Sequence, residues 1–92
     1  MAETTTATTQ WLARIHVTLK PVVLDPQGDA VLTGLRQLGF ARVSAVRVGK
    51  YLEVSVAAVS RDEATEQVRL MCERLLANPV IERYDFDVTS RD

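Results

Sequence analysis

Apolar and polar residues alternate along the segment Trp11–Lys20, which reads WLARIHVTLK. A period of two residues is typical of a β-strand with one buried face, because successive side chains point to opposite sides of a sheet. The positions of the apolar face are Trp11, Ala13, Ile15, Val17 and Leu19. The pattern predicts a first strand that ends at Pro21, since proline has no N–H to donate to a neighbouring strand.

A helix is predicted after this strand. Asp25 is a good N-cap residue, because its carboxylate can accept hydrogen bonds from the free N–H groups of the first turn. Pro26 suits the first helical position, where no N–H is needed. Apolar residues then recur at helical spacing, at Val31, Leu35 and Leu38. Gly39 is placed to end the helix in the left-handed conformation.

The start of this helix, within VVLDPQGDAV at 22–31, resembles a place where a phosphate could be held. Asp25 would itself occupy the N-cap, and its negative charge would repel a phosphate. Pro26 removes a further donor. We therefore expect a junction between a strand and a helix here, without a ligand.

Two β-rich runs follow, separated by Gly49–Lys50. Glycine at the first central position fits a type II′ hairpin turn. In that register Val48 faces Tyr51, and Val46 faces Glu53. The face predicted to lie under the helices carries Val43, Ala45, Leu52, Val54 and Val56.

The opposite face of this hairpin is a candidate interface. Its apolar side chains would meet water in an isolated monomer, and an apolar surface patch of this kind typically marks a contact with another chain. The alternative interpretation is a set of scattered apolar surface residues, which are normal. The interface candidates are Val46, Arg47, Val48, Gly49, Lys50 and Tyr51.

A second helix is predicted from Ser60, which forms a capping box with Glu63. Its apolar stripe consists of Ala64, Val68, Met71, Cys72 and Leu75. The Asn-Pro pair at 78–79 ends it, because asparagine tolerates a left-handed cap and proline cannot continue a helix. The segment 80–88 then alternates again and predicts a last strand. The positions of its first face are Val80, Glu82, Tyr84, Phe86 and Val88.

The element order is therefore βαββαβ. Two helices on one face of an antiparallel sheet give an α+β two-layer sandwich related to the ferredoxin-like fold. The predicted organisation is a single domain over residues 11–88, with a disordered Thr-rich tail at 1–10 and a short tail at 89–92.

Composition excludes several classes of protein. The formal net charge is −1 and no block of like charges occurs, which argues against nucleic acid as the main partner. One cysteine and one histidine are too few for a zinc site within one chain. No apolar run reaches the length of a membrane span, and the first ten residues do not resemble a secretion signal. We expect a cytoplasmic protein without a metal or cofactor of its own.

No catalytic constellation is evident. Cys72 belongs to the core-facing stripe of its helix, whereas His16 lies on the outward face of the first strand, so the sheet would separate them. Asp85 and Asp87 share a strand face but lack an opposing acid or further metal ligands. The residues predict a small module without an active site of its own, assembled into something larger.

Three segments resemble those of the PurS family, which comprises small subunits of phosphoribosylformylglycinamidine synthase. They are LDPQGDAV at 24–31, VRVGKYLEV at 46–54 and LLANPVIERYDFDV at 75–88. Their order and spacing match the family across nearly all of the predicted domain. The Thr-rich N-terminus departs from the usual short start of the family.

The resemblance implies a role in the fourth step of de novo purine synthesis. In that family's complex, PurL binds ATP, Mg²⁺ and formylglycinamide ribonucleotide, and PurQ hydrolyses glutamine to supply ammonia. PurS proteins form dimers or dimers of dimers that bridge PurL and PurQ and support ammonia transfer. The resemblance implies no catalytic, cofactor or metal residue on this chain.

Two other classes stay open on the residues alone. One is a ferredoxin-like regulatory module that senses a small ligand at a dimer interface. The other is a stand-alone enzyme such as an acylphosphatase, which would need a phosphate-binding loop with an arginine and a positioned water. The three matched segments favour the PurS family over both.

Overall fold

The computed structural model describes residues 7–91. The elements are β1 (Thr9–Leu19), α1 (Pro26–Gln37), β2 (Gly49–Ala58), α2 (Arg61–Met71), a π-helical turn (Cys72–Leu76) and β3 (Glu82–Ser90). The terminal strands thus extend two residues beyond each end of the predicted domain. Thr9–Gln10 and Thr89–Ser90 belong to strands, not to tails. Residues 1–6 of the predicted N-terminal tail lie outside the described residues.

The three strands form one antiparallel sheet with β1 at its centre, in the order β2-β1-β3. Ile15 lies opposite Leu52 on one side and Phe86 on the other. Directly opposed residues share a face of the sheet. The alternating patterns of the three strands therefore coincide on one inner face, as predicted for an α+β protein with an antiparallel sheet.

The predicted fourth strand and hairpin are wrong. Residues 43–48 form no strand within the described chain, so the order is βαβαβ. Gly49 does not lie in a turn but begins β2, opposite Thr18 of β1. The N–H of Val48, which a hairpin would direct at another strand, is donated to the Asp25 carboxylate at 2.8 Å. A run of β-branched residues fits an extended connection as well as it fits a strand.

The pairing of β2 also differs from the predicted register. Tyr51 lies opposite His16, and Glu53 lies opposite Arg14. Their partners are thus residues of β1 instead of Val48 and Val46. β2 pairs with the distant strand β1 instead of forming a local hairpin. The reason is that hydrogen bonds attach the chain between α1 and β2 to the residues before α1.

The hydrophobic core lies between α2 and the inner face of the sheet. Ala64, Val68 and Cys72 are fully buried against it. Ser60 is the N-cap of α2 and accepts a hydrogen bond from the Glu63 N–H at 3.1 Å. The buried apolar residues are Ala13, Ile15, Val17, Ala58, Ala64, Val68, Cys72, Ala77 and Val88.

The prediction that two helices cover the sheet is wrong, because only α2 packs on it. The apolar stripe of α1 contributes nothing to the described core, and α1 makes at most marginal contact with the strands. The radius of gyration is 18.4 Å, against about 12 Å for a compact domain of this length. The chain is therefore elongated, with α1 projecting from the sheet.

The π-helical turn changes which residue faces the core at the end of the second helix. The Ala77 N–H donates to the carbonyl of Cys72, five residues earlier, at 3.0 Å. This wider turn rotates the following residues relative to a regular helix. Leu76 packs against the core, while Leu75, predicted in the stripe, is 82% exposed.

A hydrogen bond joins this turn to the sheet and predicts a shifted tyrosine titration. The Tyr84 hydroxyl donates to Glu73 Oε2 at 2.6 Å. This bond, reinforced by desolvation and the Glu73 charge, raises the pKa of Tyr84 from 10.0 to about 12. Because the folded state favours the neutral phenol, the stabilisation is complete below pH 10 and is lost as the pH rises towards 12.

The chain has two tyrosines, so a Tyr51→Phe background isolates Tyr84. Absorbance titration should then show one phenol that ionises near pH 12. Adding Glu73→Gln should move the midpoint towards the ordinary tyrosine value. An unmoved midpoint would mean that the hydrogen bond does not exist in solution.

Candidate interaction surfaces

The Asp25 carboxylate joins two segments that are far apart in the sequence. Its Oδ1 accepts a hydrogen bond from the Gly28 N–H at 2.9 Å, which caps α1. Its Oδ2 accepts from the Val48 N–H at 2.8 Å, immediately before β2. The residue is only 4% exposed, and both oxygens have a donor. Asp25 thus serves as a helix cap and as a tertiary contact.

Arg47 completes this arrangement, which we call the Asp25 cluster (Asp25, Gly28, Arg47 and Val48). Its Nη2 donates to the carbonyls of Lys20 at 3.0 Å and Val23 at 3.1 Å. Its Nε lies 3.9 Å from Asp25 Oδ2. The loop before α1 is therefore held by a side chain from the segment before β2.

Hydrogen bonds hold the pKa of Asp25 below its ordinary value of 3.8. The bond from the Val48 N–H contributes most, followed by the bond from Gly28, while the Arg47 charge adds a smaller effect that also lowers it. The ionised carboxylate is therefore the form that the fold favours. Its stabilising effect is present above the unfolded value and is lost as the pH falls through the lower folded pKa.

Two glycines allow the backbone of one segment to approach the backbone of another closely near the Asp25 cluster. A Cβ atom at Gly28 would collide with the carbonyl oxygen of Val46. A Cβ atom at Gly49 would lie 2.5 Å from the carbonyl oxygen of Val17. Both are backbone atoms that cannot move aside without shifting a strand or a loop, so side chains larger than hydrogen do not fit at these positions.

The α1 N-terminus is filled by the chain's own carboxylate. Asp25 accepts the Gly28 N–H in the first turn of the helix on one oxygen and the Val48 N–H on the other. The Asp29 N–H is donated to the Asp25 carbonyl at 3.0 Å. The stretch at 22–31 is thus a junction between β1 and α1 in which Asp25 is the helix cap.

The six interface candidates do not form one face. Val46 is half-buried. Val48, Gly49 and Lys50 line a cavity of about 230 Å³ together with Asp25 and inner-face residues of the sheet. Tyr51 lies on the outer face, with its ring centroid 4.9 Å from that of His16. The apolar patch expected on a hairpin is therefore divided between two sides of the sheet.

The outer face of the sheet is polar, and several of its charged side chains lie close to a partner. Arg14 lies 3.5 Å from Asp87, and His16 Nδ1 lies 3.5 Å from Asp85. The Tyr51 hydroxyl donates to a carboxylate oxygen of Glu53 at 2.9 Å. The first two pairs join β1 to β3, whereas the third lies along β2, and all are open to solvent, where each contributes little stability.

Several exposed apolar side chains lie on α1 and the loops beside it. Val31 is 46% exposed and Leu38 is 77% exposed, and both belong to the predicted stripe. Leu24 and Phe40 flank the helix and are exposed as well. The helical period identified this stripe from the sequence, but sequence reasoning placed it against the sheet and therefore did not predict its exposure.

The side chains considered as candidate catalytic or metal-ligating groups do not lie together. Cys72 is buried beneath the inner face, and its burial, followed by the nearby charge of Glu73, raises the pKa of its thiol. His16 lies on the outer face, so the sheet separates the two side chains. No group of three or more metal-ligating side chains occurs within residues 7–91. No helix in that range is long and apolar enough to cross a membrane.

The fold and these surfaces are typical of a small α+β subunit that buries part of its apolar surface against other chains. The family model PurS, described as phosphoribosylformylglycinamidine (FGAM) synthase, matches residues 12–90. The chain belongs to the PurS family.

Known proteins resemble the chain over most of their length. The PurS subunit of FGAM synthase from Synechocystis sp. is 53% identical over 77 residues, covering 84% of this chain and 77% of that protein. The Bacillus subtilis PurS structure aligns with a TM-score of 0.77 and 42% identity, over 87% of this chain and 99% of that one. A chain in the PurLQS structure from Thermotoga maritima gives a TM-score of 0.80 and 32% identity, over 87% and 98% of the two chains.

The two-oxygen role of Asp25 predicts a specific effect of Asp25→Asn. Asparagine is as good an N-cap residue as aspartate, but its single carbonyl oxygen can serve only one of the two N–H groups. Hydrogen exchange at the Val48 amide should become faster by about tenfold or more. The matched control is Ser60→Asn, which replaces one N-cap residue by another where there is no second acceptor role.

The acid response of the same variant provides a second measurement. The free energy of unfolding of the wild type should fall more steeply than that of Asp25→Asn as the pH falls below 3.8. The reason is that residue 25 can take up a proton as aspartate but not as asparagine. Equal acid profiles, together with unchanged Val48 exchange, would contradict the double role of Asp25.

Proposed function

We propose that the chain is the non-catalytic PurS subunit of FGAM synthase and that it bridges the PurL synthetase and the PurQ glutaminase. The match of the PurS family model over residues 12–90 carries this proposal. The likeness to a chain of the PurLQS structure from Thermotoga maritima supports assembly with both partners. ATP, Mg²⁺ and the ribonucleotide bind to PurL in this proposal, and glutamine binds to PurQ.

The physical role of such a subunit is to keep two active sites together. Ammonia released into neutral water becomes ammonium, which is not a nucleophile. A bridge between the glutaminase and the synthetase protects the ammonia and raises its effective concentration at the acceptor. The subunit can therefore be required for glutamine-dependent turnover without any chemistry of its own. In this proposal the subunit acts in the cytoplasm, where purine nucleotides are made.

The bridging role predicts different requirements for the two nitrogen sources. Omission of the chain from a mixture with PurL and PurQ should lower glutamine-dependent FGAM formation by about tenfold or more, because ammonia escapes before it reacts. Turnover with a high concentration of ammonium salt should change much less. Equal losses with both nitrogen sources would assign the chain to PurL folding or activity and would contradict a bridging role.

Self-association is the second part of the proposal, and a second copy of the chain is the occupant of the α1 stripe. Only α2 covers the sheet. Each copy therefore exposes α1, which has no sheet to pack on, and the part of its own sheet beside α2. Leu75 and Val80, near the end of the sheet where β1 leads into α1, are also exposed. Burial of such surfaces stabilises an assembly by about 25 cal/mol per Å² of apolar area.

Leu38→Glu tests this contact. Leu38 is 77% exposed, so the charge should leave the monomer fold intact and should lower the average mass in sedimentation experiments. The matched control is Thr33→Glu, which places the same charge on the opposite face of α1. A mass that is lowered equally by both variants, or by neither, would exclude the stripe as the contact.

The residues Val46, Arg47, Val48, Gly49, Lys50 and Tyr51 remain candidates for docking PurL or PurQ. Lys50 and Tyr51 are exposed at the start of β2, beside the Asp25 cluster. If Tyr51→Asp lowers the mass while Leu38→Glu does not, the contact between copies lies on the outer face of the sheet. If Tyr51→Asp abolishes co-elution with PurL alone, this segment is a partner surface.

A further inference from the structure

A second cavity, also of about 230 Å³, lies at one end of the outer face of the sheet. Thr18 of β1 lies directly opposite Arg83 of β3, so both side chains lie on the same face. Arg47 enters the cavity from the segment before β2. Three separate parts of the chain therefore place a hydroxyl and two guanidinium groups around one cavity.

Arg47 is held in place before any ligand arrives. Its Nη2 is engaged by the carbonyls of Lys20 and Val23 at 3.0 and 3.1 Å. No acceptor for its Nη1 occurs among residues 7–91. A guanidinium fixed on one side and open on the other loses little conformational entropy when it binds an anion.

Two arginines and no carboxylate line this cavity, and the carboxylate nearest to Arg47 is that of Asp25, 3.9 Å from its Nε. Asp25, behind Arg47, accepts two backbone N–H bonds. Asp85, the next outer-face residue of β3, lies 3.5 Å from His16. Glu82 accepts from the Asn78 N–H at 2.7 Å. Arg83 makes no ion pair with any carboxylate of the described chain.

We propose that Arg47, Arg83 and Thr18 form a binding site for a phosphate group, either free or as a phosphomonoester. Guanidinium groups bind phosphate oxygens through two parallel N–H bonds, and the threonine hydroxyl can donate a further one. The cavity is several times larger than the ~30 Å³ share of one liquid water, so it has room for a phosphate group. The site does not depend on the proposed assembly with PurL and PurQ.

NMR titration of the full chain tests this site. Inorganic phosphate and ribose 5-phosphate are added separately at constant ionic strength, with chloride as the balancing anion. Saturable shifts are expected at the Thr18 and Leu19 amides and at the Nε–H groups of Arg47 and Arg83, with a dissociation constant on the order of 1 mM. Tighter binding of ribose 5-phosphate would identify a phosphomonoester ligand, and equal binding would identify phosphate itself.

Two variants distinguish a built site from general attraction. Arg83→Gln should weaken phosphate binding by about tenfold, because it removes one charge-assisted contact. Arg91→Gln removes the same charge at the other end of the sheet, where the Arg91 N–H bonds the Gln10 carbonyl, and should leave the affinity unchanged.

Three outcomes would overturn the proposal. The first is a shift that grows linearly with phosphate, and the second is an equal loss of affinity in both variants. The third is that the NMR signals of these residues do not shift when phosphate is added but do shift when PurL or PurQ is added. That last result would make the arginines a protein-docking patch instead.

Discussion

The Asp25 carboxylate lies where three parts of the chain meet: the loop after β1, the first turn of α1 and the residues before β2. It accepts a hydrogen bond from Gly28 on one oxygen and from Val48 on the other. Because both bonds come from backbone N–H groups, they restrain the path of the chain and not only a side chain. The direction in which α1 leaves the sheet depends on this contact, since α1 has little other contact with the strands.

The projection of α1 explains the distribution of apolar surface. A chain of this size buries only about 60–65% of the surface that its unfolded state exposes, and here a single helix covers the sheet. The stripe containing Val31 and Leu38 stays in contact with water in the monomer. The relatives of the chain are named as subunits of an enzyme. A surface that would destabilise an isolated domain is suited to an interface.

The opposite side of the molecule has a different character. The outer face of the sheet pairs its charges across strands, as Arg14 does with Asp87 and His16 with Asp85. At one end, however, Arg47 and Arg83 line a cavity without a carboxylate between them. Fixed guanidinium groups are suited to oxyanions, whether these come from a small molecule or from a partner protein. The chain thus combines an apolar helix face with a cavity lined by two arginines.

Sequence reasoning was most accurate where a pattern depends on local geometry. The alternation in β1 and β3, and the N-caps at Asp25 and Ser60, lie where the residue types place them. It was wrong for the run before Gly49, because β-branched residues suit a strand and an extended connection equally well. It was also wrong for Leu75, because a π-helical turn shifts the helical period. The basic cavity was missed, since Thr18, Arg47 and Arg83 come from three distant segments.

The sequence by itself determined the positions of three strands and two helices, most of their apolar positions and the family that the chain resembles. These properties follow from the spacing of neighbouring side chains and from short capping motifs. Only the tertiary structure decided that α1 stands away from the sheet, that Val48 bonds Asp25 instead of a fourth strand, and that two arginines share a cavity. The physical reason is that each of these depends on where distant backbone donors find their acceptors. A periodic pattern shows that a face must be buried, but it does not identify the surface that buries it.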